Sequence, residues 1–289
     1  MAQTKIPNEL LELGAKAFGT SSIMIGDTTT GTIDAANNNV GLGVDVFAAL
    51  TTGDDNTALG FSSLTANTTG VENTAVGKDS GKAITTGDKN TFLGSRSGSA
   101  TTTADFNTGL GMLALTSNTT GANNTGVGLQ ALANNSTASN NTCMGFQALL
   151  SNTTGHSNVG VGANALDANT TGNHNTGVGI HTLSSNTTGG DNVAVGDYAL
   201  YNNTTASNNT AIGSDALIAN TTGDRNTAVG ASALDALTAA NYNVAMGWTA
   251  LGACTTGANN TALGSFAMQS HTTANNNTAL GYAALQANT

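Results

Sequence analysis

The side chains able to bind or react in this chain are few and scattered. His156, His174 and Asp191 follow one another at intervals of 18 and 17 residues, and imidazole and carboxylate ligands gathered on one edge would suit a transition metal. An exposed polar turn is the simpler reading, and no metal is assigned. Cys143 and Cys254 fall at different points of the sequence pattern, far beyond disulfide reach, and read as free thiols packed as small side chains. Asp54-Asp55-Asn56 matches part of a calcium loop but lacks the rest of that pattern. No Ser/His/Asp or Cys/His arrangement follows from the spacing, and no Gly-rich phosphate loop with its Lys is present. The chain therefore reads as a non-enzyme without a cofactor. Four aromatics at variable positions, Tyr198, Tyr201, Tyr242 and Trp248, are the candidate glycan contacts, since flat rings stack on sugars; equally, they could fill gaps between chains. Sequons such as Asn67-Thr68-Thr69 read as turn and ladder residues. Paired Thr residues raise ice binding, which adjacent side chains on opposite faces disfavour.

What must position these residues is a repeat. Asn recurs every 17 residues from Asn39 to Asn277, fifteen times without insertion or deletion. Numbering each unit 0 to 16 from that Asn, position 1 is Thr or Val and position 3 a large aliphatic. Position 4 is always Gly, position 8 mostly Leu, and position 14 Gly or Ala. Asn209-Thr210-Ala211-Ile212-Gly213, closing in Asn220-Thr221-Thr222-Gly223, is a near-consensus copy. β-Branched residues beside an obligatory glycine disfavour a helical repeat. Seventeen residues at ~3.3 Å each make a loop of about 56 Å, enough for short strands and turns. The fold predicted is all-β, a parallel β-solenoid of 17-residue coils. Positions 1, 3 and 8 are expected to fill each coil. The opposite face, with Gly, Ala, Phe92 or Cys143 at position 2 and Gly at position 4 and free of charge, is expected to pack against neighbouring chains. Units 73 and 90 carry Gly81 and Gly98 where Leu is expected, predicting locally thinner packing.

Composition closes off other classes. Only 8% of residues are charged, with 7 Lys+Arg against 17 Asp+Glu, a net −10. Sparse cations leave no footprint for a phosphate backbone or an anionic membrane, so nucleic acid and membrane are not expected partners. No apolar run reaches the ~20 residues of a membrane helix, and no secretory signal is visible at the start. Low charge with a single Pro is not the composition of a disordered chain.

The units Asn56-Thr57-Ala58-Leu59-Gly60, Asn226-Thr227-Ala228-Val229-Gly230 and Asn277-Thr278-Ala279-Leu280-Gly281 resemble head repeats of trimeric autotransporter adhesins (YadA-like heads). They are closer still to N-T-A-L-G…A-L…N-T-T-G arrays of bacteriophage tail-fibre and virion appendage proteins. The likeness spans the repeat array and implies a left-handed β-roll and a homotrimer. A 17-residue period departs from the shorter repeats common in adhesin heads, and stalk, neck and anchor are not seen.

Three regions follow: residues 1–21 as an N-terminal attachment segment, 22–38 as a degenerate first coil, and 39–289 as the fifteen-coil array. Within 1–21, Ile6, Pro7, Leu10, Leu11, Leu13 and Phe18 are the candidate attachment residues, on a short amphipathic helix or a strap over Asn8–Phe18. The function expected is a structural trimeric fibre of a virion, tail or capsid, contributing to adhesion at a host-surface glycan or receptor, with other virion proteins held through the N-terminus. The alternative is the head of a bacterial surface adhesin. The last coil is expected to fray or dock on another protein, because open coils expose unpaired backbone.

Overall fold

The computed structural model describes residues 15–18, 22–25 and 35–287. Among these there are strands and turns and no helix. Strands β1 (Ala15–Phe18) and β2 (Ser22–Ile25) form an antiparallel pair, Phe18 opposite Ser22. The remaining strands are three residues long and occupy positions 1 to 3 of successive units, from β3 (Val40–Leu42) to β17 (Thr278–Leu280). β2 to β17 are sixteen parallel strands, one per coil, and the architecture is a β-solenoid with 17 residues per turn. By contacts the chain divides into two compact units, Met1–Asn140 and Asn141–Thr289. In the first, β2 to β8 stack in sequence order; in the second, β9 to β17 do. Each residue pairs with its equivalent 17 further on, Thr57 with Thr74 and Thr210 with Thr227. β2 joins the same register, Ile23 opposite Val40 and Ile25 opposite Leu42.

The turns are laddered as well as the strands. The position-12 amide of Thr187 donates to the Thr204 carbonyl at 2.8 Å, and the position-8 amide of Leu217 to Ala233 at 3.0 Å. Such bonds recur at each corner, so the backbone groups of a short coil find partners above and below it, as buried peptide groups must. The geometry carries a cost. Positions 6, 8 and 16 are left-handed with ordinary side chains, Leu217 at φ 53° for example, a conformation costing roughly 1–2 kcal/mol for an L-residue. Position 4 is more extreme: Gly213 has φ +130°, and a Cβ there would meet the Gly230 carbonyl carbon at 2.6 Å. Stacked backbones touch at this column, which explains its invariant glycine.

The interior reverses the expected phase of the strand. Position 2 points inward: Ala58, Ala75, Phe92, Cys143 and Ala211 are fully or almost fully buried. Positions 1 and 3 point outward. The Ala/Gly face is therefore the inside of the coil, and the expectation that it meets neighbouring chains is corrected. A coil of 17 residues encloses little space, and a small side chain from the strand meets the position-8 Leu across it. Position 0 completes the inner face. Asn209 donates its amide to Asn192 Oδ1 (3.0 Å) and its Nδ2 to the Gly223 carbonyl (2.9 Å), while its own Oδ1 accepts from Asn226 N (2.9 Å). One side chain thus closes its coil from strand to turn and ties it to both neighbours. At position 11, Asn169, Asn186, Asn203 and Asn220 form a second ladder, each Nδ2 reaching the preceding Oδ1 at 2.8–3.1 Å. These amides are fully buried and are bonded, as buried polar groups have to be.

The thin packing expected at Gly81 and Gly98 is corrected too. The Phe92 ring fills the space from the strand side: a Cβ on Gly98 would lie 2.4 Å from that ring. The amphipathic helix expected over Asn8–Phe18 is not formed at Ala15–Phe18, which is strand β1; Asn8–Gly14 lie outside the described residues.

Candidate interaction surface

Because position 2 turns inward, the large aliphatic column at position 3 turns out. In the first unit Leu42, Leu59 and Leu93 are 42–49% exposed; in the second, Met144, Val178, Ile212 and Met246 are 37–55% exposed. Position 5 rims the surface: Val44 and Phe61 in the first unit and Phe146, Ile180 and Trp248 in the second are exposed, and Lys78 and Asp197 bring charge to the same column. Position 1 flanks it with Thr or Val. Positions 1 and 3 carry no charged residue in any of the fifteen coils. A solvated strand face would alternate with polar residues, and a contiguous apolar patch rimmed by polar groups marks an interface. Sequence reasoning missed this surface because large aliphatics were assigned to the interior; the invariant Asn at position 0, even-numbered like position 2, was the signal for the correct phase.

Of the candidate glycan contacts, Tyr198 and Tyr201 come together with His181. The His181 ring stacks on Tyr198 at 5.3 Å and meets Tyr201 edge-on at 6.0 Å. Trp248 lies elsewhere in the second unit, packed edge-on against Phe266 at 4.7 Å, with Phe266 against Tyr282 at 5.7 Å. Tyr242 pairs with Arg225 instead, the guanidinium 5.6 Å from its ring and 3.3 Å from its hydroxyl. The four residues thus form three separate clusters rather than one platform. Ile6, Pro7, Leu10, Leu11 and Leu13 lie outside the described residues; Phe18 is the last residue of β1.

His156 and His174 stand edge-on at 5.1 Å, and His174 Nδ1 lies 3.5 Å from Asp191. They run as a column from coil to coil, and no group of three His, Cys, Asp or Glu among the described residues could hold a metal ion. Asp54 accepts the Asn37 amide at 2.7 Å and Asp55 the Asn38 Nδ2 at 3.0 Å, so these acids bracket the preceding coil. Position 15 repeats that bracket wherever it is Asp, Asn or Ser, as in Ser207 N to Asp224 at 2.7 Å, an order in a column that looks variable in sequence. Asn67 of the quoted sequon is fully buried. Position-12 hydroxyls donate to the next coil, Thr187 to Thr204 at 3.0 Å. Cys143 and Cys254 are both buried and not in a disulfide. Cys254 stands in the position-11 column with Sγ 3.5 Å from the Gly257 carbonyl; burial pushes its thiol up, and the Gly257 backbone hydrogen bond pulls the other way.

The geometry defines a repeat scaffold with an apolar outer face. Comparison with protein-family models, with curated proteins and with solved structures yields no match.

Proposed function

We propose that the chain is a structural subunit of a fibre, in which three copies pack through the outward faces of their strands and project from a virion. The observation that carries the proposal is the uncharged aliphatic column at position 3, left exposed by the single chain. Fully burying an exposed side chain of this kind is worth roughly 1.5–3 kcal/mol; these are already about half-buried, so about half of that remains to be gained at each, and about ten of them match the ~4–15 kcal/mol cost of association. The number three and the virion setting rest on the resemblance of the repeats to fibre and adhesin-head arrays. A structural rather than catalytic role fits the way polar side chains are used: Asn, Thr and Asp are consumed in ladders between coils. In this reading residues 1–21 attach the fibre, and the variable aromatics meet the host surface.

Immunogold electron microscopy of the source particles, with antibodies to the repeat array, tests the proposal. Label along filaments outside the particle is the expected result. Label confined to the cytoplasm of producing cells, with bare particles, would overturn it.

A further inference from the structure

Cations are scarce in this chain, yet four of the six lysines and arginines among the described residues fall in two consecutive coils: Lys78, Lys82, Lys89 and Arg96, with Lys16 and Arg225 apart. Two of the four are paired. Lys82 lies 3.2 Å from Asp79, and Lys89 is 4.0 Å from Glu72 and 5.7 Å from the Phe106 ring. Lys78 and Arg96 have no carboxylate within 4.0 Å among the described residues. Lys78 rests 5.9 Å from the Phe61 ring, an attraction that leaves its N–H donors unused. Both line a cleft of about 300 Å³, together with Ser95, Met112 and Leu113.

The backbone holds this cleft in place. Arg96 N donates to the Lys78 carbonyl at 2.8 Å and Leu113 N to Ser95 at 3.0 Å, so the three coils cannot slide past one another. On one side stand an ammonium, a guanidinium and a hydroxyl; on the other a half-exposed Met112 and Leu113. Like charges on adjacent coils repel, and a chain with net −10 had acids to spare for pairing them. A guanidinium fork matches an oxyanion with two parallel hydrogen bonds.

We infer that the Lys78–Arg96 cleft binds a small organic oxyanion, its carboxylate or phosphate held by the two cations and its apolar body lying on Met112 and Leu113. The site is open to water, which weakens each charge contact, and affinity in the millimolar range is expected. The inference needs neither the oligomer nor the virion.

The test is a saturation-transfer NMR titration of the full chain with benzoate, phenyl phosphate, inorganic phosphate and benzyl alcohol. Benzoate, phenyl phosphate or both should bind, whichever binds naming the head group. Inorganic phosphate should bind at least fivefold more weakly and benzyl alcohol not detectably. Raising NaCl tenfold should weaken binding several-fold. Lys78→Gln and Arg96→Gln should each weaken it at least fivefold, and Arg225→Gln should leave it unchanged. Failure of both aryl oxyanions to bind, inorganic phosphate binding as well as they do, insensitivity to salt in the unaltered chain, or unchanged binding in Arg96→Gln would each overturn the inference.

Discussion

Coils 73–106 and coils 209–242 enclose the same small interior by opposite means. In coils 209–242, position 2 is Ala211 or Ala228 and the space is filled from the turn by Leu217 and Leu234, both left-handed. In coils 73–106 the left-handed turn positions are Gly81 and Gly98, at φ 55° and 59°, and the filling comes from other columns: Phe92 from the strand of coil 90 and the buried Ile84 from position 11 of coil 73. Gly109, above Phe92 in the strand column, leaves further room: a Cβ there would lie 3.0 Å from the ring. What the coils share is a filled interior. Which column supplies it is free, and the glycines that relieve turn strain are the ones whose Leu has been replaced from across the core.

Exchanging the two solutions gives the largest expected effect. Phe92→Ala empties coil 90 and should cost about 3–5 kcal/mol in denaturant unfolding. Gly98→Leu alone should also destabilise, because its Cβ meets the ring. The double variant, which gives coil 90 the Ala/Leu pair of coils 209–242, should recover most of the loss, with a coupling energy above ~2 kcal/mol. Additive losses would break the comparison.

The clasp at position 0 ties the coils in both regions, but its backup differs. Asn90→Ala leaves the buried Asn107 N and the Ala104 carbonyl without their side-chain partner, whereas Asn209→Ala leaves Asn226 N without its partner while the Gly223 carbonyl keeps Asn220 Nδ2 at 3.0 Å. Asn90→Ala should cost about 2–4 kcal/mol and Asn209→Ala about 1–3 kcal/mol in denaturant unfolding. A loss well below about 1 kcal/mol in either variant would show that the ladder is not shared.

The smallest effect separates the regions by pH. Asp235, half-buried in coil 226, has its carboxyl raised above the ordinary range by burial, its own and the Ala236 backbone hydrogen bonds lowering it and nearby Asp215 raising it. The folded state then holds the proton more tightly than the unfolded chain, so this group stabilises below the unfolded value of 3.8. That contribution is lost as pH rises through the folded pKa. Asp235→Asn should remove this slope from the stability profile between those limits; an unchanged slope would dismiss the burial argument.

Much of the architecture was legible in the sequence, for a physical reason. Fifteen units without insertion leave only translational stacking, and β-branched residues beside an obligatory glycine make the stacked element a strand. The phase of that strand was not legible from size. Alternation says that positions 1 and 3 share a face, but a one-residue slip exchanges inside and outside, and Leu beside Ala suggests the wrong choice when the strand's inner face takes mostly Ala, Gly and Asn. Asn56 and Asn209 belong to the inner face because their amides close the coil, which hydrophobicity does not reveal. The aromatic clusters were illegible for a related reason: His181 meets Tyr198 only through coil stacking, and Tyr201 only through the turn.

The central claim is that the outward aliphatic face is an interface between copies of this chain. Sedimentation equilibrium of the full chain, beside a variant carrying Leu59→Asp, Leu93→Asp, Met144→Asp and Ile212→Asp, tests it most directly. The account predicts a species of three times 28.5 kDa for the unaltered protein and a folded monomer for the variant. A stable, non-aggregating monomer of the unaltered chain, or an unchanged trimer in the variant, would contradict it.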